Sequence, residues 1–171
     1  MLKRSLRLVI LIWAFGLSSS PQVLLASEST GLPNTSYNSV TQPTHLQISL
    51  SRRQVTVYKG KSQIKSYSIA VGRRGWETPT GNFRVAQMLW NPTWISPFTG
   101  EAIPGGAPQN PLGHYWIGFW TDGRNWIGFH GTNNPDSVGK PASHGCLHMH
   151  DQDLQELFHL VSIGTPVTVV R

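Results

Sequence analysis

Short runs in which apolar and polar residues alternate limit this chain to a fold built largely from strands. The alternation occurs at residues 46–50, 55–57, 67–71, 83–85, 115–119, 126–129 and 167–169. A period of two places every second side chain on the same face of a strand, and short runs separated by turn residues are typical of antiparallel sheets. The sequence therefore predicts a mainly β domain.

One helix is predicted near the C-terminus. Apolar residues spaced three and four apart share one helical face: Leu154, Leu157, Phe158 and Val161. Asp151 and Asp153 supply the negative charges that favour a first helical turn. Gly164 is predicted to end the helix, with Pro166 preventing its continuation.

The composition of the first 43 residues is typical of an export signal and a linker rather than of a folded domain. Residues 1–26 combine three basic residues, Lys3, Arg4 and Arg7, with an apolar run of about ten residues and a cleavage region rich in small residues. This pattern predicts a secretory signal peptide. An uncleaved anchor is the alternative. Residues 27–43 are rich in Ser, Thr, Asn and Pro, which predicts a flexible linker. We therefore expect an exported protein of the periplasm or cell wall, with its folded domain over residues 44–171.

The charge of the chain argues against nucleic-acid binding. The formal net charge is +6, but three of the basic residues belong to the predicted signal peptide. The remainder forms no basic stripe of the kind that nucleic-acid binding requires. We expect a monomer with no nucleic-acid partner and no stable protein partner.

The single cysteine, Cys146, lies within the densest polar cluster of the sequence. A lone cysteine in an exported chain forms no internal disulfide, so it is a buried inert thiol, an intermolecular partner or a reactive group. Residues 143–150 read Ser-His-Gly-Cys-Leu-His-Met-His, and His130 ends an apolar run 16 residues before the cysteine. A thiol nucleophile needs a nearby imidazole and backbone N–H groups for the oxyanion. Chemistry alone permits this interpretation and also a Cys/His metal site, because residues 146, 148 and 150 would share a strand face.

The order of these residues resembles the motif of a known family. Residues 129–132, Phe-His-Gly-Thr, followed by residues 143–147, Ser-His-Gly-Cys-Leu, resemble the motif of the L,D-transpeptidase (YkuD-type) family. Further similarity lies at residues 78–83, 110–113 and 164–167. The resemblance covers residues 44–171 and implies a β-sandwich with a mixed sheet and one or two short helices.

The resemblance also implies an activity. Family members attack the L,D peptide bond of a peptidoglycan stem tetrapeptide, release D-alanine and pass the acyl group to an amine or to water. It implies that Cys146 is the nucleophile, that His130 accepts and donates the proton, and that His144 shapes the site or assists the base. The N–H groups of Gly145 and Cys146 would lie near the oxyanion. No cofactor and no metal are implied.

The residues flanking the catalytic pair are expected to contact the substrate: Gly131, Thr132, Ser143 and His148. His148 stands where the family often has arginine, and an imidazole is a weaker carboxylate clamp than a guanidinium. An L,D-carboxypeptidase remains an alternative. So do a Cys/His metal-binding module and a non-catalytic wall-binding module that uses the aromatic loop of residues 91–113, with Trp94 and Phe98. Most of the tryptophans are predicted to lie in the core.

Overall fold

The computed structural model describes residues 42–96 and 99–171. The predicted signal peptide lies outside these residues, as do Phe98 and all but the last two residues of the predicted linker. Among the described residues, no helix is both long enough and apolar enough to cross a membrane.

Thirteen strands and one α-helix make up the described part of the chain. In chain order they are β1 (Thr44–Ser49), β2 (Gln54–Lys59), β3 (Ser62–Ser68), β4 (Val71–Gly72), β5 (Gly81–Arg84), β6 (Gln87–Trp90), β7 (Trp94–Ile95), β8 (Ala102–Ile103), β9 (Tyr115–Thr121), β10 (Trp126–His130), β11 (Pro141–Ser143), β12 (Leu147–His148), α1 (Asp151–Leu160) and β13 (Pro166–Val170). A short 3-10 helix, Pro135–Ser137, lies between β10 and β11.

Two mixed sheets form the body of the domain. The larger has the order β3-β2-β1-β13-β5, in which only β1 and β13 run parallel. The smaller has the order β12-β10-β9-β6, in which only β10 and β12 run parallel. The predicted fold class, mainly β with mixed sheets and few helices, is confirmed.

The hydrophobic core lies between the two sheets. One buried cluster joins Leu46 and Val57 of the larger sheet to Ile117 and Phe129 of the smaller one. Full burial of one such side chain contributes roughly 1.5–3 kcal/mol to stability. Because every second residue of β10 packs inward, the residues between them, Gly128 and His130, share the opposite face.

Helix α1 begins where the sequence predicts and ends earlier. It buries Leu154 and Leu157, and its first turn contains Asp151 and Asp153. The expectation that Gly164 ends the helix was wrong. The helix stops at Leu160, because Val161 is extended and buried against the core. Gly164 instead has φ +89° in the turn that leads into β13.

The predicted strand over residues 67–71 is divided in the structure. β3 ends at Ser68, and Ala70 forms an isolated bridge with His148. β4 then pairs with β11, the strand that ends at Ser143. The division carries the chain from the larger sheet to the segment that contains the cysteine.

The loop of residues 91–113 contains a two-strand ribbon, β7 and β8, and it is organised by Asn110. This buried amide donates to the backbone oxygens of Pro92 (2.9 Å) and Pro104 (3.1 Å) and accepts from the Leu112 N–H (2.9 Å). The Leu112 oxygen in turn accepts from the Gly131 N–H (2.8 Å), which ties the loop to the end of β10.

The expectation that most of the tryptophans lie in the core was wrong. Of the six in the described residues, only Trp116 is buried. Trp90 keeps 69% of its surface exposed and Trp76 keeps 50%. Aliphatic side chains together with Tyr67, Phe119 and Phe129 fill the space between the sheets instead.

Candidate active site

His130 is the last residue of β10 and is held by both its backbone and its ring. It is buried, and its ring stacks beside Trp116 with centroids 6.0 Å apart. Its Nδ1 lies 2.7 Å from the Gly131 oxygen. A carbonyl oxygen can only accept, so Nδ1 carries the proton and Nε2 is the unprotonated nitrogen of the neutral ring.

Burial governs the charge of this imidazole. Loss of solvation, together with the nearby His148, lowers the pKa of His130 to about 3, against the smaller opposing effect of the backbone oxygens it contacts. His130 is therefore neutral at pH 7. A neutral imidazole held in one tautomer offers a free nitrogen to a proton, although the lowered pKa makes it a weaker base than an ordinary histidine.

Cys146 immediately precedes β12, the strand that pairs with the end of β10. The parallel register aligns Phe129 with Leu147 and His130 with His148. Cys146 therefore lies at the level of Gly128, two register positions before His130. The thiol Sγ lies 3.7 Å from the Trp126 oxygen. Burial raises the pKa of the Cys146 thiol, and a backbone hydrogen bond from Gly128 opposes that effect.

Gly128, beside Cys146, occupies a position that has no room for a side chain. The β9–β10 register shifts between Ile127 and Gly128, and a Cβ atom at residue 128 would lie 2.4 Å from the Ile117 oxygen. A larger residue would displace the strand beside the thiol.

A turn of residues 143–146 presents the cysteine. The Ser143 hydroxyl donates to the Cys146 oxygen and accepts from the Gly145 N–H (3.0 Å). Gly145 has φ +114°, a conformation that L side chains rarely adopt. The Gly145 oxygen accepts from the Thr78 hydroxyl (2.7 Å), which itself accepts from the Gly72 N–H (3.1 Å).

These hydrogen bonds change what can be expected of two predicted site residues. Ser143 is buried, and its hydroxyl makes two hydrogen bonds within the turn. The Gly145 N–H, one of the two predicted oxyanion donors, is bonded to that hydroxyl.

The contacts of His144 are with Arg73 and Trp76. Its Nε2 lies 2.7 Å from Nη2 of Arg73, and its ring meets Trp76 edge-on with centroids 4.8 Å apart. The structure shows no contact between His144 and the ring of His130. Sequence reasoning missed Arg73, because only the tertiary fold brings positions 73 and 144 together.

His148 lies directly against His130, with ring centroids 4.7 Å apart. Its Nδ1 is 3.4 Å from the Ser137 hydroxyl, which donates its one proton to the Asn134 oxygen (2.7 Å). The hydroxyl therefore accepts from His148, and Nδ1 carries the proton. Burial, and secondarily His144, lower the pKa of His148, which disfavours a charged ring.

The remaining two predicted residues lie beyond the end of β10. Gly131 is buried, and a Cβ atom there would lie 2.2 Å from Oδ1 of Asp151, so only glycine fits. Thr132 accepts from the Asn134 N–H (3.0 Å) and donates to the Asn134 oxygen (3.2 Å). Both residues support the site through the local turn.

The alternating Cys/His trio does not form a metal cluster. Within residues 42–96 and 99–171, no group of three or more His, Cys, Asp or Glu side chains is arranged to hold a metal ion. β12 covers only Leu147–His148, and His150 is exposed at the start of α1.

Replacing Thr78 with valine is expected to weaken the cysteine turn. The change keeps the side-chain shape but leaves the Gly145 oxygen and the Gly72 N–H without their partner. Loss of such buried hydrogen bonds lowers the free energy of unfolding by about 1–3 kcal/mol, measurable by urea denaturation. Thr80→Val, at an exposed neighbouring position, is the matched control and should change it by less than about 0.5 kcal/mol. Equal effects of the two changes would contradict the role given to Thr78.

Comparison with known proteins identifies the same fold and motif elsewhere. The sequence model for the L,D-transpeptidase catalytic domain matches residues 43–169. The chain is 43% identical over 106 residues to the putative L,D-transpeptidase YqjB of Bacillus subtilis, covering 60% of this chain and 57% of that one. It is 37% identical over 131 residues to the putative L,D-transpeptidase YkuD of the same organism, covering 77% of this chain and 68% of that one.

A solved structure agrees at the level of the fold. The L,D-transpeptidase LdtMt1, determined in complex with imipenem, superimposes with a TM-score of 0.62 at 19% identity, covering 74% of this chain and 58% of that one. The chain thus spans little more than half the length of YqjB and of LdtMt1.

Proposed function

Because the chain belongs to the L,D-transpeptidase catalytic-domain family, we propose that it is a cell-wall acyltransferase that acts on peptidoglycan stem peptides. The observation that supports the proposal is the parallel register of β10 and β12, in which Cys146, immediately before β12, lies two positions from the neutral imidazole of His130. Cys146 is the nucleophile and His130 is the group that moves the proton. No cofactor takes part in the proposed steps.

The first half-reaction forms a thioester. Nε2 of His130 removes the Sγ proton as the sulfur attacks the carbonyl carbon of the L,D peptide bond, and the Cys146 N–H stabilises the oxyanion. The imidazolium then gives its proton to the departing D-alanine amine as the C–N bond breaks. The stem peptide is left as an acyl group on sulfur.

The second half-reaction reverses the proton movement. An acceptor amine attacks the thioester, His130 takes a proton from that amine, and the sulfur leaves and is protonated again. The new amide is the cross-link. Water attacking in place of the amine gives the L,D-carboxypeptidase outcome from the same site.

The resting enzyme holds a neutral thiol and a neutral imidazole. Burial raises the pKa of Cys146 and lowers that of His130, so both shifts oppose a standing thiolate–imidazolium pair. The proton therefore moves only when the sulfur attacks, which makes His130 a general base rather than a permanent ion-pair partner.

The neighbouring residues position the reacting groups. His148 lies against His130 and faces the same side of the sheet as Cys146, so it contacts the bound stem peptide beside the scissile bond. Gly131, Thr132 and Ser143 maintain the turns around the pair. In this proposal the protein is exported through the signal of residues 1–26 and works as a monomer in the periplasm or cell wall, with no stable protein partner.

Mass spectrometry of products from a purified tetrapeptide-containing muropeptide tests the proposal. We expect a cross-linked dimer with release of D-alanine, and no product from Cys146→Ala. Tripeptide as the main product would identify an L,D-carboxypeptidase. An unchanged muropeptide that remains bound to the protein would favour a wall-binding module and contradict the enzymatic proposal.

A further inference from the structure

Arg73 is fixed at the edge of the cysteine turn by two separate contacts. Its backbone N–H donates to the Ser143 oxygen (3.1 Å). Its guanidinium Nη2 lies 2.7 Å from Nε2 of His144, a ring that Trp76 supports edge-on. Both contacts are with the turn of residues 143–146 that presents Cys146.

The partner of Arg73 leaves its positive charge intact. A guanidinium stays protonated in proteins and can only donate, so Nε2 of His144 must be the accepting, unprotonated nitrogen. The contact orients the guanidinium without neutralising it. In the described ranges, 42–96 and 99–171, the only ion pair is that of Lys65 with Glu156. Glu77, the acidic residue nearest in sequence, instead accepts from the Gly75 N–H (2.8 Å).

His148, which is also predicted to bind the substrate, does not supply a fixed positive charge. His148 is partly buried, and its Nδ1–H is directed to the Ser137 hydroxyl. The proposed donor is an anion whose terminal carboxylate lies only one residue beyond the scissile bond. Such a carboxylate needs a cationic partner close to the cysteine turn, and Arg73 lies beside that turn.

We propose that Arg73 binds a carboxylate of the donor stem peptide and that His144 is the positioning residue that holds its guanidinium in place. This inference rests on the proposed function. The carboxylate is either the terminal one of D-alanine or a side-chain carboxylate of the third stem residue, and two amidated peptides separate these sources.

Equilibrium binding of a tetrapeptide to protein carrying Cys146→Ala tests the inference independently of turnover. Adding Arg73→Ala should raise Kd about tenfold, as expected for loss of a charge-assisted hydrogen bond. Arg73→Lys should recover part of that loss. Arg74→Ala, which removes the same charge at the adjacent exposed position, is the matched control and should leave Kd within about twofold.

The amidated donors identify the carboxylate. A peptide amidated at the recognised carboxylate should bind weakly to the Arg73 protein and lose nothing further on Arg73→Ala. The peptide amidated at the other carboxylate should behave like the parent. If Arg73→Ala weakens both amidated peptides as much as the parent, or has no larger effect than Arg74→Ala, the inference is overturned.

The role of His144 has its own signature. His144→Ala should weaken binding only when Arg73 is present, because it acts through that side chain. His144→Gln, whose amide oxygen can still accept from the guanidinium, should restore affinity. Equal loss from His144→Ala with and without Arg73 would contradict the positioning role.

Binding and turnover can fail separately. Arg73-dependent binding without turnover by the protein with Cys146 intact would leave the inference standing and overturn the proposed function. Turnover without Arg73-dependent binding would support the proposed function and overturn the inference about Arg73. No binding of the tetrapeptide to the Cys146→Ala protein would overturn the inference.

Discussion

Replacing Cys146 with serine is expected to abolish formation of a covalent adduct with imipenem. A β-lactam carbonyl mimics the scissile carbonyl of the donor, and in the proposed mechanism the Cys146 sulfur attacks it. The site pairs a neutral thiol with a neutral imidazole. An alcohol is a far weaker acid than a thiol, so the same imidazole activates serine poorly. Intact-mass measurement should show one adduct per chain for the unaltered protein and none for Cys146→Ser.

Peptide mapping completes this test. The adduct should lie on the peptide that contains Cys146, and Ser62→Ala, a change at an exposed position of β3, should still form it. An unmodified protein whose thiol nevertheless reacts with a small alkylating reagent would argue against the nucleophile assignment, and with it against the enzyme.

Replacing His130 with alanine is expected to lower the rate of acylation by a factor of about 10² to 10⁴. The loss arises because no group remains to take the Sγ proton, and burial makes unassisted ionisation of this thiol harder still. Stopped-flow fluorescence or timed intact-mass measurement gives the rate. His150→Ala is the matched control, since His150 is an exposed histidine four residues after the sulfur, and it should leave the rate unchanged.

The pH dependence of acylation follows from the same two pKa shifts. The pKa of His130 is lowered to about 3, so the base stays unprotonated as pH falls through the range in which an ordinary histidine gains a proton. The raised pKa of Cys146 keeps the thiol protonated above pH 7. The acylation rate should therefore be nearly flat from about pH 5 to about pH 8. A tenfold decrease per unit below about pH 6.5 would instead indicate an ordinary, solvated imidazole.

Long strands were predictable because burial on one face imposes a period of two over enough residues to be seen. The apolar residues of β1, β2 and β13 follow this alternation, whereas β9 and β10 are each buried at four consecutive residues. β4, β7, β8 and β12 have two residues each, and β11 has three, too few for any period. These short strands form because the tertiary fold brings a neighbouring strand alongside them. The local sequence pattern does not show which distant segment that neighbour will be. The end of α1 was misplaced for a related reason, since burial of Val161 overrode the glycine signal.

Residue type and motif together predict candidate site residues where the side chains have characteristic chemistry. Cys146 and His130 are predicted in this way, and the structure places Cys146 immediately before β12, the strand that pairs with the end of β10. The committed hydroxyl of Ser143 and the contact between Arg73 and His144 depend on hydrogen bonds across the fold. The family resemblance implies that His144 shapes the site or assists the base, and Ser143 is predicted to contact the substrate. In the structure Ser143 bonds within the cysteine turn and His144 contacts Arg73 and Trp76.

The place of β13 in the larger sheet has a consequence for the folding of the domain. β13 is the last strand of the described residues, yet it lies between β1 and β5 and bonds to both. Until residues 166–170 join the sheet, β5 has no hydrogen-bonded connection to the hairpins of β1, β2 and β3. Pairings between distant parts of a chain form slowly, because a long loop must close first. The larger sheet is therefore completed late in folding, by the strand that lies farthest along the sequence from β1.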